Sequence, residues 1–353
     1  MRQIPVIILG LGGVGRELLG QLAASRHVHE QRARAHFNTI CAADSSHFLS
    51  SPGGLSDSVM LDLINDKKSG TGFGKAHTGP TNIVEEFIDA SKFGIVVDVT
   101  ATDETRDALV SALELGWGVV LANKKPLAGP LDLALPLFAS DRVRYESTVG
   151  AGQPVIATLQ YLLDTNDSIR RVEGQLSGSL GYICSQLDAQ IKFSDALRTA
   201  RELGFTEPDP REDLAGKDVM RKAIILGRTA GLQMSEDDVS VECLYSEDLG
   251  ALDVDHFMSA AEGMDDVFAR RVAEAAAGGY VLRYVASIEG GKAEIGLKPV
   301  PKNSALANLK YVSFQTDRYD DEPLLIGGKG AGVGITAAGV VGDMIRLCKE
   351  NLN

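Results

Sequence analysis

Residues 4–25 read IPVIILGLGGVGRELLGQLAAS. The part 4–9 is a short apolar run rich in β-branched residues, which is typical of a buried strand. Four glycines follow within six residues, and the next stretch, RELLGQLAAS, has the spacing of an amphipathic helix. A strand, a glycine turn and a helix in this order predict the first βα unit of a parallel sheet.

The glycine turn, GLGGVG, fits the pattern G-x-G-x-x-G. In a dinucleotide-binding turn the first glycine permits the tight turn, the second lets the backbone approach the pyrophosphate, and the third lets helix and strand pack closely. The helix N-terminus adds N–H groups and partial positive charge. An ordinary βα turn is the alternative, but the context on both sides favours a cofactor site. Its members are Gly10, Gly12, Gly13, Val14 and Gly15.

Strands and helices continue to alternate up to about residue 123, which predicts an α/β fold with a Rossmann-type, doubly wound parallel sheet. We expect strands at 37–44, 93–102 and 118–123, helices at 83–90 and 104–116, and loops with one short helix over 45–80.

The pattern changes after about residue 148 and predicts a second, mixed α+β domain. A hairpin should turn at Gly290-Gly291. We therefore expect a dinucleotide-binding domain at 1–148 and a second domain at 149–328, with the C-terminal helical segment 329–353 returning to the first. The second domain should hold a helix at 154–163, a strand-like stretch at 169–183 and helices over much of 185–280.

Polar residues stand at the ends of three predicted strands, where ligands bind in such sheets. Asp44 is placed to bond the adenosine ribose of NAD, although an aspartate that only caps a turn is an equal alternative. Thr100 follows VVDV and is expected in the cofactor loop. Lys124 and Lys125 follow the strand at 118–123, so one of them is expected near the nicotinamide; two solvated loop lysines are the alternative.

The composition narrows the class of protein. The chain has 353 residues and a net charge of −13, which argues against a nucleic-acid groove because phosphate binding needs a basic surface. Four cysteines without a C-x-x-C pair favour reduced thiols and a cytoplasmic location. No apolar run approaches the roughly 20 residues of a membrane span, and the six histidines lack metal-ligand spacing.

The segment 206–222, TEPDPREDLAGKDVMRK, is dense in charge and leads directly into the apolar run AIILG. Asp218 and Lys222 are four apart, so on a helix they share one face. Periodicity alone favours a surface ion pair. A lysine that opens an apolar run is also suited to proton transfer, because burial favours its neutral form.

Four motifs in order resemble homoserine dehydrogenase of the short monofunctional kind: ANKKP (122–126), YESTVGAGQP (145–154), segment 206–222 and GAGVGITAAGVVGD (330–343). The resemblance spans nearly the whole chain. It implies a Rossmann domain and a catalytic domain that also forms a homodimer interface. It also implies interconversion of L-homoserine and L-aspartate 4-semialdehyde with NAD or NADP, in threonine, methionine and isoleucine biosynthesis.

The resemblance also implies roles for individual residues. Lys222 is expected as the general acid/base, and Lys124 as an active-site lysine near the nicotinamide. Glu207 and Asp218 are expected to bind homoserine, with Asp213 as a supporting acid.

Two further sites follow from the resemblance. Gly332 is expected to contact the cofactor. A monovalent cation, sodium or potassium, is expected at Glu146 through a side-chain oxygen and at Val149, Ala151 and Gln153 through backbone carbonyls, since oxygen ligands suit hard cations. A glycine-rich hinge is a compatible reading of the same stretch. We expect no regulatory domain after the last motif, and hence no threonine feedback through one.

Two other functions remain open. A semialdehyde dehydrogenase that forms a thioester would need an activated cysteine, and Cys184 is the candidate, although its apolar context suggests an inert thiol. A non-catalytic NAD(P)-sensing protein would bind cofactor without turnover.

Overall fold

The structure is a computed structural model that describes residues 2–351. These residues divide into two compact units. The first unit comprises 2–156 and 331–351, and the second comprises 157–330. The division falls inside the helix Val155–Asp164.

The first unit contains a sheet with the strand order β4-β3-β2-β1-β5-β6-β7. Strands β2, β1, β5, β6 and β7 are parallel, which confirms the predicted α/β fold. The strands are β1 Arg2–Leu9, β2 Ala35–Ala43, β3 His47–Ser50, β4 Lys75–Ala76, β5 Ile95–Asp98, β6 Gly118–Leu121 and β7 Val143–Arg144. The helices are α1 Gly13–Ala24, α2 Arg26–Ala33, α3 Asp57–Ser69, α4 Pro80–Phe87, α5 Arg106–Glu114, α6 Lys125–Ala128 and α7 Leu131–Phe138.

The prediction for residues 45–80 is wrong in part. Instead of loops alone around one short helix, β3 pairs antiparallel with β2, and β4 pairs antiparallel with β3. The helix α3 is thirteen residues long, and the Ser56 side chain caps its first turn by accepting a hydrogen bond from the N–H of Val59. Two antiparallel strands therefore extend one edge of the parallel sheet.

The second unit holds a mixed sheet in the order β13-β12-β8-β10-β11-β9. The predicted hairpin is confirmed: β10 and β11 pair antiparallel around Gly290 and Gly291, whose φ angles of 57° and 80° suit a tight two-residue turn. The strands are β8 Ile169–Gly174, β9 Val239–Val241, β10 Tyr280–Glu289, β11 Lys292–Pro301, β12 Tyr311–Thr316 and β13 Leu324–Gly327. The helices are α8 Val155–Asp164, α9 Gly178–Asp188, α10 Phe193–Glu202, α11 Arg211–Leu214, α12 Lys217–Thr229, α13 Glu247–Gly250, α14 Val254–Ala260 and α15 Asp265–Ala277.

The strand-like reading of 169–183 is wrong in its second half. Strand β8 ends at Gly174, and helix α9 begins at Gly178. The side chain of Ser177 accepts a hydrogen bond from the N–H of Leu180 at 3.2 Å and so caps the helix. Capping by serine outweighs the weak strand pattern of this glycine- and serine-rich stretch.

The last helix, α16 (Val333–Asn351), belongs to the core of the first unit. Val340, Met344 and Leu347 are fully buried and share one apolar cluster with Leu18 of α1 and Ile8 of β1. The C-terminal glycine loop is thereby placed near the first glycine turn, at the carboxyl end of β1.

Candidate active site

The glycine turn is shaped by close backbone contacts. Gly10 has a φ of 105°, and a Cβ there would lie 2.8 Å from the carbonyl carbon of Val99. A Cβ on Gly15 would lie 1.9 Å from the carbonyl oxygen of Gly10. A Cβ on Gly12 would meet nothing within 4 Å. Packing inside the protein therefore requires Gly10 and Gly15, whereas Gly12 faces open space at the start of α1.

Three hydrogen bonds hold the Asp44 carboxylate at the end of β2. Its Oδ1 accepts hydrogen bonds from the N–H groups of Ser46 (2.8 Å) and His47 (2.7 Å), and its Oδ2 accepts one from Lys67 Nζ at 2.6 Å. Burial would raise the pKa of this carboxyl, but the Lys67 and backbone hydrogen bonds outweigh it and lower the pKa to about 2. Asp44 thus caps a turn and stays ionised.

A buried network that the sequence analysis missed fixes the ends of β5 and β6. Asp98 is 0% exposed; it accepts hydrogen bonds from Thr100 N–H (2.9 Å) and Thr105 Oγ1 (2.6 Å). Asn123 Nδ2 also donates to Asp98, at 3.0 Å, and the Asn123 amide oxygen accepts from the N–H of Lys125. An aspartate inside an apolar strand could have predicted this network, because such a residue is rarely buried without hydrogen-bond partners.

This network positions two predicted cofactor residues. The hydroxyl of Thr100 donates to Asp98 Oδ1 at 2.7 Å. Lys124 follows Asn123 directly and precedes the first residue of α6. Loss of the Asp98 carboxylate would therefore release both the loop that contains Thr100 and the loop that contains Asn123 and Lys124.

The C-terminal loop lies against the first glycine turn. Gly332 has a φ of 129°, and its carbonyl oxygen accepts hydrogen bonds from the Thr336 N–H and hydroxyl. The side chain of Val333 is 3.4 Å from the position of a Cβ on Gly13. Gly332 and the glycine turn, far apart in sequence, are therefore neighbours in the first unit.

The stretch 146–153 forms a compact turn, and Gly150 and Ala151 both have left-handed φ angles, of 79° and 58°. The Glu146 N–H donates to Asp343 Oδ2 at 2.8 Å, and Glu146 Oε1 accepts from the Ile156 N–H at 2.7 Å. Burial, with the nearby Glu146 charge, raises the pKa of Asp343 to about 7. The turn is thus tied to α16 and to the start of α8.

In the second unit, Lys222 is held at two points. Its Nζ donates to the Leu176 carbonyl oxygen at 2.6 Å and pairs with Asp218 Oδ2 at 2.7 Å. The Lys222 side chain is 12% exposed and that of Asp218 is 47% exposed. The ammonium is therefore largely buried, while its carboxylate partner lies at the surface.

Asp213 ties the acidic segment to α9. Its Oδ2 accepts a hydrogen bond from the Glu207 N–H at 2.8 Å, and its Oδ1 lies 2.6 Å from the Ser179 hydroxyl. Burial raises the pKa of Asp213 more than these hydrogen bonds lower it. The Glu207 side chain is exposed, and among residues 2–351 its carboxylate pairs with no cation. Ser179 was not among the predicted site residues, because the stretch 169–183 was predicted to be strand-like.

Cys184 lies in α9 and is 2% exposed. Burial raises the pKa of its thiol to about 11. A thiol in this state is a poor nucleophile near neutral pH, so this geometry opposes the thioester alternative.

Two features are absent from the part of the chain that the structure describes. No helix within it is long and apolar enough to cross a membrane. Nor does it group three or more His, Cys, Asp or Glu side chains in a way that could hold a metal ion.

Comparison with known proteins assigns the family. Residues 154–345 match the family model for homoserine dehydrogenase, and residues 10–146 match the model for the homoserine dehydrogenase NAD binding domain. A homoserine dehydrogenase of Paracoccidioides brasiliensis is 34% identical over 97% of this chain and 97% of its own length.

Longer relatives and solved structures agree. A chloroplastic bifunctional aspartokinase/homoserine dehydrogenase of Zea mays is 35% identical over 98% of this chain, which spans 38% of that protein. The crystal structure of a Thiobacillus denitrificans homoserine dehydrogenase matches with a TM-score of 0.76 and 25% identity, over 100% of this chain and 74% of that one. This chain therefore belongs to the homoserine dehydrogenase family.

Proposed function

We propose that this protein interconverts L-homoserine and L-aspartate 4-semialdehyde with NAD or NADP. The observation that carries the proposal is Lys222, a largely buried ammonium held by Leu176 and Asp218 beside an acidic segment. Membership of the family supplies the reaction. The products would feed threonine, methionine and isoleucine biosynthesis.

The first unit offers a cradle for the cofactor. Gly12 faces open space at the N-terminus of α1, where the partial charge of the helix favours a pyrophosphate. We assign Gly10, Gly12, Gly13, Val14 and Gly15 to this cradle, with Thr100, Lys124 and Gly332 around it. Asp44, ionised at the end of β2, would accept hydrogen bonds from the adenosine ribose.

Lys222 is proposed to move the proton. Its Nζ is held by the Leu176 carbonyl and by Asp218, so in the direction of semialdehyde reduction it can donate a proton to the developing alkoxide. In the direction of homoserine oxidation it must first lose that proton. A bound nicotinamide would supply or accept the hydride.

The acids of the segment are proposed to bind the substrate ammonium. Glu207 has a free, exposed carboxylate, and Asp218 lies at the surface next to Lys222. Asp213 would act indirectly, because it holds the backbone of Glu207.

We further propose a sodium or potassium ion at 146–153. The left-handed Gly150-Ala151 pair turns successive carbonyls in different directions, and the buried amide nitrogen of Gln153 has no hydrogen-bond partner in the described chain. Amide rotation exchanges this nitrogen for oxygen, which a hard cation would satisfy in addition to backbone carbonyls. The proposed ligands are a side-chain oxygen of Glu146 and the backbone carbonyls of Val149, Ala151 and Gln153. Activity that depends on added sodium or potassium, and falls in a bulky organic cation, tests this site.

The homodimer remains a proposal that rests on the family resemblance, and sedimentation at several concentrations tests it. A cytoplasmic location is likewise proposed, because Cys41, Cys184, Cys243 and Cys348 are free thiols.

The activity itself is tested by incubating the protein with L-homoserine and either NAD or NADP, from neutral to alkaline pH. Formation of reduced cofactor with at least one of them is expected. Folded protein that binds cofactor but gives no turnover with either would leave the sensing function as the better account.

A further inference from the structure

The carbonyl group that holds Lys222 lies in a short segment outside regular structure. The Leu176 carbonyl oxygen accepts a hydrogen bond from Lys222 Nζ at 2.6 Å. Strand β8 ends at Gly174 and helix α9 begins at Gly178, so Leu176 belongs to neither element. A carbonyl in such a segment takes its position from the contacts that its neighbours make.

Gln175, the residue before Leu176, fastens this segment to the loop between β11 and β12. Its side-chain Nε2 donates to the carbonyl oxygens of Leu306 at 2.9 Å and of Leu309 at 3.0 Å. Its backbone N–H donates to the carbonyl oxygen of Tyr311 at 3.0 Å. Gln175 is only 9% exposed, so water competes little for these three hydrogen bonds.

The contact depends on the amide group of Gln175. An amide nitrogen carries two hydrogens, and the carbonyls of Leu306 and Leu309 use both. Two carbonyl oxygens on one side of the amide also fix its orientation, because the amide oxygen would repel them. Neither the carboxylate of a glutamate nor the thioether of a methionine could donate these bonds.

The loop that receives these hydrogen bonds is itself held in the second unit. Ala307 is 3% exposed, and its carbonyl oxygen accepts a hydrogen bond from Arg283 Nε at 2.8 Å. Arg283 is 6% exposed and pairs with Asp188 of α9 at 2.6 Å. Gln175 therefore joins the Leu176 carbonyl to a buried and hydrogen-bonded support.

We propose that Gln175 is a positioning residue for proton transfer: it places the Leu176 carbonyl, which in turn places the ammonium of Lys222. This inference rests on the proposed function, in which Lys222 moves the proton. Proton transfer requires donor and acceptor within hydrogen-bond reach, and a displacement of about 1 Å can lower a rate by about 100-fold. Gln175 acts on the reaction through Leu176 and makes no contact with the substrate.

The first test is Gln175→Met, which keeps the length of the side chain and removes both of its donors. The kcat for L-homoserine should fall by about 10- to 100-fold. The KM should change by less than about threefold, because Glu207 is held separately by Asp213. Gln315→Met is the matched control, since Gln315 also donates its amide to a backbone carbonyl of this unit, that of Asp320 at 2.9 Å. This control should keep the kcat of the wild type.

A double-mutant cycle separates positioning from a general loss of structure. If Gln175 acts through Lys222, adding Gln175→Met to a protein that already carries Lys222→Met should lower kcat by less than about twofold. Independent effects would multiply, and a further loss of about 10-fold or more in the double variant would overturn the proposal.

Trace acetylation of lysines, read by mass spectrometry, reports on Lys222 without turnover. Lys222 should react about 2- to 10-fold faster in Gln175→Met than in the wild type, as expected when one hydrogen bond is weakened. Gln315→Met should leave this rate unchanged. If Gln175→Met does not fold, Gln175→Asn, whose amide is one methylene shorter, should show the same two changes, with kcat lowered by about 3- to 30-fold.

The outcomes separate this proposal from the one on which it rests. Wild-type protein that is folded but inactive on L-homoserine would reject the proposed function and the role of Gln175 with it. Active wild-type protein whose folded Gln175 variants keep a normal kcat, or acetylate Lys222 no faster, would reject the role of Gln175 alone.

Discussion

Two aspartates anchor loops in this protein, and they do so in different ways. Asp98 in the first unit is sealed from solvent and surrounded by donors from Thr100, Thr105 and Asn123. Asp213 in the second unit is only partly buried and receives the Glu207 N–H and the Ser179 hydroxyl. The first is a fixed part of the core. The second holds a loop whose own carboxylate, on Glu207, stays open to a ligand.

The difference separates a scaffold from a site that must admit substrate. A carboxylate with every lone pair satisfied stabilises the fold and leaves nothing for a ligand. The partly exposed carboxylate of Asp213 fixes the backbone of Glu207, while the Glu207 side chain remains accessible to a ligand. The expected effects of substitution therefore differ in kind between the two regions.

The largest effect is expected at Lys222, in the second unit. Lys222→Met removes the proposed proton donor and should lower kcat by about 10²- to 10⁴-fold, the usual contribution of general acid–base catalysis. The affinity for NAD or NADP, measured by fluorescence, should not change. Lys217→Met, at an exposed lysine of the same helix, is the control; equal losses in both variants would remove Lys222 from the chemistry.

The two aspartates themselves give the next prediction. Asp98→Ala leaves several buried donors unpaired, so we expect a loss of about 3 kcal/mol in the free energy of unfolding. Asp213→Ala should cost about 1 kcal/mol but raise the KM for homoserine by freeing Glu207. Urea unfolding measures the loss of stability in both variants, and steady-state kinetics measures their KM for homoserine. An Asp213→Ala protein that is less stable than Asp98→Ala would contradict this prediction.

A third prediction concerns the glycine turn. A Cβ at Gly15 would overlap the Gly10 carbonyl, so Gly15→Ala should destabilise the fold by about 1–3 kcal/mol. A Cβ at Gly12 meets no protein atom within 4 Å. Gly12→Ala should therefore melt like the wild type yet bind NAD or NADP at least about tenfold more weakly. Normal cofactor affinity in Gly12→Ala would move the pyrophosphate away from this turn.

Glu207→Gln should have a more moderate effect. It keeps the backbone contact with Asp213 but removes one charge, so the KM for L-homoserine should rise by about tenfold while kcat changes little. Glu212→Gln, at an exposed acid of the same segment, serves for comparison. An unchanged KM in Glu207→Gln would argue against a contact with substrate.

The smallest effect is expected from thiol reagents. Burial raises the pKa of Cys41 and Cys348 to about 12 and that of Cys184 to about 11, whereas Cys243 is exposed. Iodoacetamide on the native protein should label Cys243 and leave the activity intact, as mass spectrometry and rate assays would show. Rapid inactivation with label on Cys184 would revive the thioester mechanism.

The first unit was largely predictable because its signals are local. A strand, a glycine turn and a helix follow one another within 4–25, and Gly10 and Gly15 are required by contacts close in sequence or across one strand pair. The antiparallel edge strands β3 and β4 were missed because they are short and lie in a polar, glycine-rich stretch. The weak alternation of apolar and polar residues in this stretch does not predict strands that pair at the edge of a sheet.

The site in the second unit was less predictable because it depends on contacts distant in sequence. Lys222 and Asp218 share a helix face, which their spacing predicts. The contact of Lys222 with Leu176 and that of Asp213 with Ser179 join residues 46 and 34 positions apart. Ser177 caps helix α9 where a strand was expected. For that reason Ser179 was not among the predicted site residues.

The central claim is hydride transfer to the semialdehyde carbon, and isotope labelling tests it most directly. The protein is incubated with L-aspartate 4-semialdehyde and NADH or NADPH deuterated at C4 of the nicotinamide, and the product is analysed by mass spectrometry and NMR. We predict L-homoserine with a single deuterium at C4. Recovery of unchanged semialdehyde by folded protein, or homoserine without deuterium from fully labelled cofactor, would contradict this account.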